Sequence, residues 1–244
     1  MGHAGGCAHA EASRSVAAIE GLADCLHFLD LACGLASTRA RLAELNYGFN
    51  KRLAAGGAGY ADLLVSLRHP RVVALSIDGN EAAAGRTGPR FAQAFKRAGA
   101  AGLGRTAHAG ESSGPEGVRD AVELLGADRI DHGVRAVEDP DLVGLLADRR
   151  IPLGICPTSN LKLGVYRAIE EHPIDRLRRA GVVVSINTDD PVLRGASLEG
   201  EYALCSKAFG WSDEVLRALA RNSIDASFAN ADIKARLVQA LSSW

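Results

Sequence analysis

The chain has 244 residues, of which 47% are hydrophobic and 23% are charged, values typical of a globular protein that buries a large core. The formal net charge of −1 lacks the basic excess that favours nucleic-acid binding, and it provides no attraction to an anionic membrane. No apolar run reaches the ~18 residues that a membrane span needs, so we expect neither a nucleic-acid partner nor a membrane partner.

The cysteines indicate in which cellular compartment the protein resides. Their number is odd and no two lie in a CxxC spacing, which disfavours a disulfide framework and a thiolate zinc site and is typical of a reducing cytoplasm. The N-terminus, MGHAGGCAHAEAS, has no basic region followed by an apolar region, so we expect no signal peptide and predict a cytoplasmic protein. The five cysteines, no two in a CxxC spacing, are Cys7, Cys25, Cys33, Cys156 and Cys205.

The predicted elements begin with a helical segment and continue with short apolar runs. Residues 13–55 contain long stretches of 3.6-residue periodicity and predict helix. Six apolar runs then predict strands, and helix-like segments of ~10–15 residues follow most of them, an alternation that indicates βαβ units and a parallel sheet. The runs are YADLLVSL (60–67), RVVALSIDGNE (71–81), GRTAHAGE (104–111), DRIDHG (128–133), IPLGICPTSN (151–160) and VVVSINTDDP (182–191).

The polar residues at the ends of these runs distinguish between two α/β folds. A (β/α)8 barrel builds its site from the C-terminal ends of many successive strands, whereas an open doubly wound sheet uses mainly its switch point. Chemically capable residues follow nearly every run here, and no GxGxxG or GxxxxGK[ST] loop is present. We therefore predict an α/β protein with a (β/α)8 TIM-type barrel. It is incomplete, because six strands are counted instead of eight.

We expect one domain over 1–244, with a helical or irregular N-terminal part at 1–55 and the barrel at 56–244. Its mouth would hold two imidazoles and three carboxylates, a set that suits a divalent zinc with one position open for water. Each residue alone also has a structural interpretation, as a turn, a helix cap or a hydrogen-bonded histidine. The candidates are His108, Glu111, His132, Asp189 and Asp190, with Gly79 on a neighbouring strand end.

The ordered set TAHAGE, DRIDHG, ICPTSN and SINTDDP closely resembles the adenosine deaminase family, metal-dependent (β/α)8-barrel hydrolases, over roughly residues 55 to 240. The resemblance implies an enzyme that hydrolyses the C–N bond of a cyclic amidine in a small purine nucleoside, with one Zn²⁺ per chain. It further implies that His108 and Asp189 are zinc ligands.

The same resemblance implies the roles of the other candidates. Glu111 would protonate purine N1, and His132 would orient or help to activate the hydroxide that attacks C6. Asp190 would hydrogen-bond N7, and the backbone N–H of Gly79 would meet N3. Ammonia leaves and a 6-oxopurine forms. A purine resists attack until N1 is protonated, so Glu111 needs a raised pKa, which an apolar barrel mouth provides.

The chain departs from the family pattern in three ways. The family's first strand carries an HxH pair of zinc ligands, and no HxH occurs in this sequence. Only three residues separate VSL from RVVALS, so the first and third strands are not evident and zinc binding should be weak. Asp78 directly precedes Gly79, where the family more often has a small residue.

These departures leave alternatives open. The default substrate is adenosine or 2′-deoxyadenosine, which would become inosine. A different 6-aminopurine is the second reading: adenine, a modified adenosine or an aminofutalosine-type nucleoside. The third reading is a non-catalytic purine-binding remnant, which the absence of HxH favours. The sequence does not determine the oligomeric state.

Overall fold

A computed structural model describes residues 73–78, 81–86 and 88–243 of the chain. The predicted N-terminal helices, the run at 60–67 and Gly79 lie outside these described residues. The other five predicted strands are all present. They are β1 (Ala74–Ile77), β2 (Gly104–Ala109), β3 (Arg129–His132), β4 (Leu153–Ile155) and β5 (Val184–Ile186).

The five strands form one parallel sheet in the order β1-β2-β3-β4-β5. Each strand lies beside its predecessor in the chain, so the described sheet has no switch point of the kind that defines a doubly wound fold. A parallel sheet in sequential order, with helical connections, is the construction of a (β/α) barrel. The described part is therefore a partial (β/α)8 barrel, as predicted.

Helices follow each of the strands. The prediction missed the two short helices that begin at Pro157 and Pro191, directly after the last two strands. The helices are α1 (Glu81–Ala84), α2 (Gly88–Ala100), α3 (Pro115–Glu123), α4 (Pro140–Asp148), α5 (Pro157–Lys162), α6 (Ile174–Arg179), α7 (Pro191–Arg194), α8 (Leu198–Phe209), α9 (Asp213–Ala226) and α10 (Ala231–Ser242), with 3₁₀ turns at Val134–Glu138 and Ile169–Glu171.

Local sequence signals explain where several of these helices begin and end. Asp139 caps α4 by accepting hydrogen bonds from the backbone N–H groups of Asp141 and Leu142, and a proline follows it at the first helical position. Ser197 caps α8 in the same way, and Gly210 ends that helix in the left-handed conformation that glycine adopts without strain. None of the described helices is long and apolar enough to cross a membrane.

Successive side chains along β2 point to opposite faces of the sheet, one apolar and one polar. Ala107 and Ala109 are buried in the hydrophobic core, whereas Thr106 and His108 point to the opposite face. On β3, Ile130 is likewise in the core, and Asp131 accepts a hydrogen bond from the Thr106 hydroxyl at 2.7 Å. The sheet therefore buries one face against apolar residues and presents polar groups on the other.

The core lies between the sheet and the helices that follow its strands. Leu142 and Leu146, four residues apart on one face of α4, are both fully buried. They belong to the same apolar cluster as Ile130 on β3 and Leu153 on β4. Packing of this kind holds the sheet in register and so positions the strand ends.

Truncating one of these leucines tests the importance of that packing. Leu146 is 0% exposed, so Leu146→Ala should lower the free energy of unfolding by about 2–5 kcal/mol. Leu124 is 44% exposed, and Leu124→Ala should cost less than about 1 kcal/mol. Urea denaturation of the two variants measures the difference. Equal losses would contradict the assignment of the core.

Candidate active site

The imidazole of His108, near the end of β2, is held between carboxylates. Its Nδ1 lies 3.0 Å from Asp78 Oδ1, and its Nε2 lies 3.5 Å from Glu111 Oε2 and 3.9 Å from Glu81 Oε2. Asp78, the residue that departs from the family pattern before Gly79, is thus in contact with the ring of His108. A carboxylate on one ring nitrogen is the usual arrangement that leaves the other nitrogen of a histidine directed at a metal.

Glu111 joins His108 to His132 from the next strand. Glu111 Oε1 lies 3.2 Å from His132 Nδ1, and the centroids of the two imidazole rings are 4.5 Å apart. One potential ligand atom from each of these three residues lies within 4.8 Å of the others. Nitrogen and carboxylate oxygen are the ligand types that zinc prefers in catalytic sites, so the donor set fits such an ion.

The backbone of His132 explains how it reaches this group. Strict alternation along β3 would place it on the same face as Ile130, which is in the hydrophobic core. His132 has φ 67°, a left-handed conformation that is rare outside glycine. This departure ends the alternation and brings the ring to the site. A backbone conformation of this kind costs about 1–3 kcal/mol of free energy, which is typical of strained residues at functional sites.

Burial and neighbouring charges set the pKa values of Glu111 and His132. Burial is the largest effect that raises the pKa of Glu111, to about 7, and the charges of Asp189 and Glu81 act in the same direction. Burial, assisted by the positive charge of His108, holds the pKa of His132 well below its usual range. Glu111 can therefore exchange a proton near neutral pH, while His132 stays neutral and keeps a nitrogen lone pair that can accept a hydrogen bond. The sequence argument required this direction for Glu111.

The carboxylates around His108 favour the protonated, charged form of its ring. Burial acts to lower the pKa of His108, but the hydrogen bond to Asp78 and the charges of Asp78, Glu111 and Glu81 outweigh it and raise the pKa to about 9. A histidine binds a metal only in its neutral form. His108 would therefore have to lose a proton before it could serve as a metal ligand.

Glu81, at the start of α1, holds the loop that carries Glu111. Its carboxylate accepts hydrogen bonds from the backbone N–H groups of Gly110 at 2.6 Å, Glu111 at 2.9 Å and Ser112 at 3.0 Å. It also accepts one from the Ser113 hydroxyl at 3.1 Å. Gly110 has φ 70°, which glycine adopts without strain. Glu81 thus fixes the backbone from which the Glu111 side chain projects.

The two adjacent acids after β5 are not members of the three-residue group, although the charge of Asp189 acts on Glu111. Asp189 is exposed, adopts φ 57° and accepts a hydrogen bond from the Ser159 hydroxyl at 2.5 Å. Asp190 is half-buried, and burial followed by the charge of Asp189 raises the pKa of its carboxyl to about 6. A partly protonated Asp190 can donate a hydrogen bond. Gly79, the expected contact to purine N3, lies outside the described residues.

The sequence interpretation treated ICPTSN only as a motif and missed Asn160, which touches Glu111, and His172, which touches Asn160. Asn160 Nδ2 donates to Glu111 Oε1 at 2.6 Å and lies 3.4 Å from His132 Nδ1. His172 Nε2 lies 3.1 Å from Asn160 Oδ1. Both residues are buried. The available sequence signal for Asn160 was the polar stretch PTSN at the end of a predicted strand. Nothing in the spacing connects Asn160 to His172, which lies twelve residues later.

A partial (β/α)8 barrel with imidazoles and carboxylates at the carboxyl ends of its strands is the architecture of a metal-dependent barrel hydrolase. The adenosine deaminase family model matches residues 58–244, which is most of the chain. The chain therefore belongs to the adenosine deaminase family, which is metal-dependent.

Curated relatives within this match carry two different names. An aminodeoxyfutalosine deaminase of Streptomyces avermitilis is 43% identical over 178 residues, which are 73% of this chain and 49% of the relative. An adenine deaminase of Rhizobium rhizogenes is 48% identical over 151 residues, which are 62% of this chain and 47% of the relative. The chain spans about half the length of the curated relatives it matches.

Two solved structures add information on ligands. An amidohydrolase from Burkholderia ambifaria, described with bound Zn, is 32% identical with a TM-score of 0.65 over 72% of this chain and 49% of that one. Arabidopsis ADAL, complexed with IMP, is 30% identical with a TM-score of 0.61 over 70% of this chain and 49% of that one. Structural neighbours thus bind zinc and a small purine nucleotide.

Glu81→Gln tests the support of the Glu111 loop. A glutamine amide would place an N–H donor against backbone N–H donors in either orientation, so at least one hydrogen bond is replaced by a repulsive contact. We expect the free energy of unfolding to fall by about 2–4 kcal/mol. Glu123→Gln is the control, because Glu123 makes only an exposed pair with Arg119 and should cost less than about 1 kcal/mol. Urea denaturation that found equal costs would contradict this role of Glu81.

His172 makes stability depend on pH. Burial lowers the pKa of His172 to about 4, so below its ordinary pKa the unfolded chain binds more protons than the folded chain. Stability from this group is complete above about pH 6.5 and is lost as the pH falls towards 4, to a total of about 3 kcal/mol.

Denaturation as a function of pH measures this loss. Between pH 7.5 and pH 5 the wild-type chain should lose about 2 kcal/mol more than a His172→Gln variant, which cannot titrate there. Parallel curves for the two proteins would show that His172 does not stay neutral in the folded chain.

Proposed function

We propose that this chain contributes to the zinc-dependent hydrolytic deamination of a 6-aminopurine, which yields the 6-oxopurine and ammonia. The observation that carries the proposal is the placement of Glu111, a buried carboxyl whose pKa is raised to about 7, against the neutral ring of His132 and the ring of His108. A carboxyl that exchanges a proton near neutral pH, beside a neutral imidazole that can orient water, suits the hydrolysis of an amidine.

The roles proposed for the side chains follow from these environments. Glu111 donates its proton to purine N1, which makes C6 electrophilic. His132, which burial keeps neutral, orients the attacking water or helps to activate it. Asp190 donates a hydrogen bond to N7 in its protonated form, for which its raised pKa is suited. The backbone N–H of Gly79 remains the expected partner of N3.

The proposed metal ligands are His108, through Nε2, and Asp189. His108 supports this role by its Nδ1 contact to Asp78 at 3.0 Å, which orients the ring. When bound, zinc would act as a Lewis acid and lower the pKa of a water molecule towards neutrality. Because the sequence contains no HxH, the two ligands named here are fewer than the three of most catalytic zinc sites, and the affinity should be low.

The names of the relatives bear on the substrate. Adenine and aminodeoxyfutalosine deaminases are named among them, so adenine or an aminofutalosine-type nucleoside is preferred here over adenosine. All of these are small 6-aminopurines, and the chemistry at C6 is the same. The cytoplasmic location stays a prediction from the cysteines.

A second candidate function is non-catalytic purine binding. The absence of HxH supports it, because a site without those ligands can keep its purine contacts and still fail to retain the metal.

Metal content and turnover of the purified full chain separate the two functions. We expect zinc by elemental analysis after incubation with the metal, and loss of 6-aminopurine absorbance with adenine, adenosine or an aminofutalosine-type nucleoside. Glu111→Gln should lower kcat by about 10²–10⁴-fold, since it removes the proton donor. Glu123→Gln, which changes an exposed glutamate at the end of α3 that pairs with Arg119, should stay fully active.

Asp189→Ala tests the proposed metal ligand, with zinc content as the measurement. It should retain less zinc than the wild-type chain, while Asp225→Ala, which removes a carboxylate paired with Arg221 on α9, should retain as much. A wild-type chain with neither zinc nor turnover after zinc addition would rule out the enzyme and leave purine binding. Full activity of Glu111→Gln would refute the proton transfer.

A further inference from the structure

The side-chain amide of Asn160 connects the proposed proton donor to a histidine that has no role in the reaction. Asn160 is 0% exposed, and its backbone is anchored by hydrogen bonds to Cys156 and Val165 at 3.0 and 2.9 Å. Its amide lies between Glu111 Oε1 at 2.6 Å and His172 Nε2 at 3.1 Å. A buried amide has one donor end and one acceptor end, so its orientation matters to both neighbours.

The orientation of this amide follows from the state of His172. The backbone N–H of Ile174 donates to His172 Nδ1 at 3.3 Å, so Nδ1 is an acceptor and carries no proton. The ring is 2% exposed and neutral, because burial lowers its pKa to about 4. Its one proton is therefore on Nε2, which donates to Asn160 Oδ1.

The opposite orientation of the amide is excluded by its contact with His172. It would place the NH₂ group of Asn160 against the N–H of His172, so that two donors would face each other in a buried position where unsatisfied groups are costly. It would also place Asn160 Oδ1 against an oxygen of Glu111, which is repulsive whenever that oxygen carries no proton. The proton on His172 Nε2 thus determines which end of the amide faces the site.

We infer that His172 and Asn160 are positioning residues for Glu111: the neutral imidazole of His172 fixes the Asn160 amide so that its NH₂ group holds the Glu111 carboxyl at His132. Since it concerns the proton donor, the functional part of this inference rests on the proposed deamination. The residues themselves touch neither the purine nor the metal in the proposed site.

Nuclear magnetic resonance of the ¹⁵N-labelled full chain tests the arrangement without any activity. At pH 7 the His172 ring should show a protonated Nε2 and an unprotonated Nδ1. The Asn160 amide protons should give Overhauser effects to the side chains of Glu111 and His132. A proton on Nδ1 of His172, or amide protons of Asn160 directed at residue 172, would overturn the inference.

Substitutions at position 172 separate positioning from packing. His172→Phe keeps a ring but removes the donor, so the Overhauser effects from Asn160 to Glu111 should weaken. His172→Gln retains an N–H donor for Asn160 and an oxygen acceptor for Ile174, so those effects should persist. If the Phe variant does not fold, Asn160→Asp serves instead, because it keeps the shape and replaces the donor with a second carboxylate oxygen at Glu111.

Kinetics of the zinc-loaded chain then measure the functional consequence. His172→Phe and Asn160→Asp should lower kcat by about 10- to 100-fold with little change in KM, and His172→Gln should stay within about threefold of wild type. Asn222→Ala is the matched control, because its amide donates only to the backbone of Val184, at 2.8 Å, and its loss should leave kcat unchanged.

The outcomes distinguish the inference from the proposed function. An inactive wild-type chain with the expected resonances would refute the deaminase and keep the arrangement of Asn160 and His172. An active chain in which His172→Phe keeps full kcat would refute the positioning role and keep the deaminase. Loss of kcat in His172→Gln equal to that in His172→Phe would show that the position contributes packing alone.

Discussion

The burial of the Glu111 carboxyl is the constraint on which the rest of the site depends. A carboxylate removed from water is costly unless hydrogen bonds and charges compensate for it, and the alternative is to hold a proton. Here the charge of His108 and the hydrogen bond from Asn160 at 2.6 Å provide part of that compensation. The remaining cost keeps the pKa of Glu111 at about 7, where a group both gives and takes a proton.

Several features of the surrounding structure hold the Glu111 carboxyl in this buried position. Glu81 binds three consecutive backbone N–H groups of the loop that carries it, and left-handed residues occur at His132 and Asp189, where two other strands end. Strain of this type persists only when the surrounding packing enforces it. The apolar cluster between the sheet and its helices provides that packing, because it holds adjacent strand ends in register.

The balance of charge at the strand ends also explains why a metal suits the site. Carboxylates outnumber imidazoles there, since Asp78, Glu81 and Glu111 all lie within 4 Å of His108. They draw a proton onto His108 and raise its pKa to about 9. A divalent cation provides the same compensation with more charge and leaves the imidazole neutral as a ligand.

The sequence by itself determined the repeating strand–helix pattern, the parallel sheet and the strand ends that carry His108, Glu111, His132 and the two acids, because these depend on periodicity and order along the chain. It did not show that Glu81 holds a loop about 30 residues later, nor that His172 orients Asn160 against Glu111. Only the tertiary structure decided those contacts. They join side chains that are distant in sequence, and their geometry is set by packing and by the left-handed turn at His132, which no local pattern encodes.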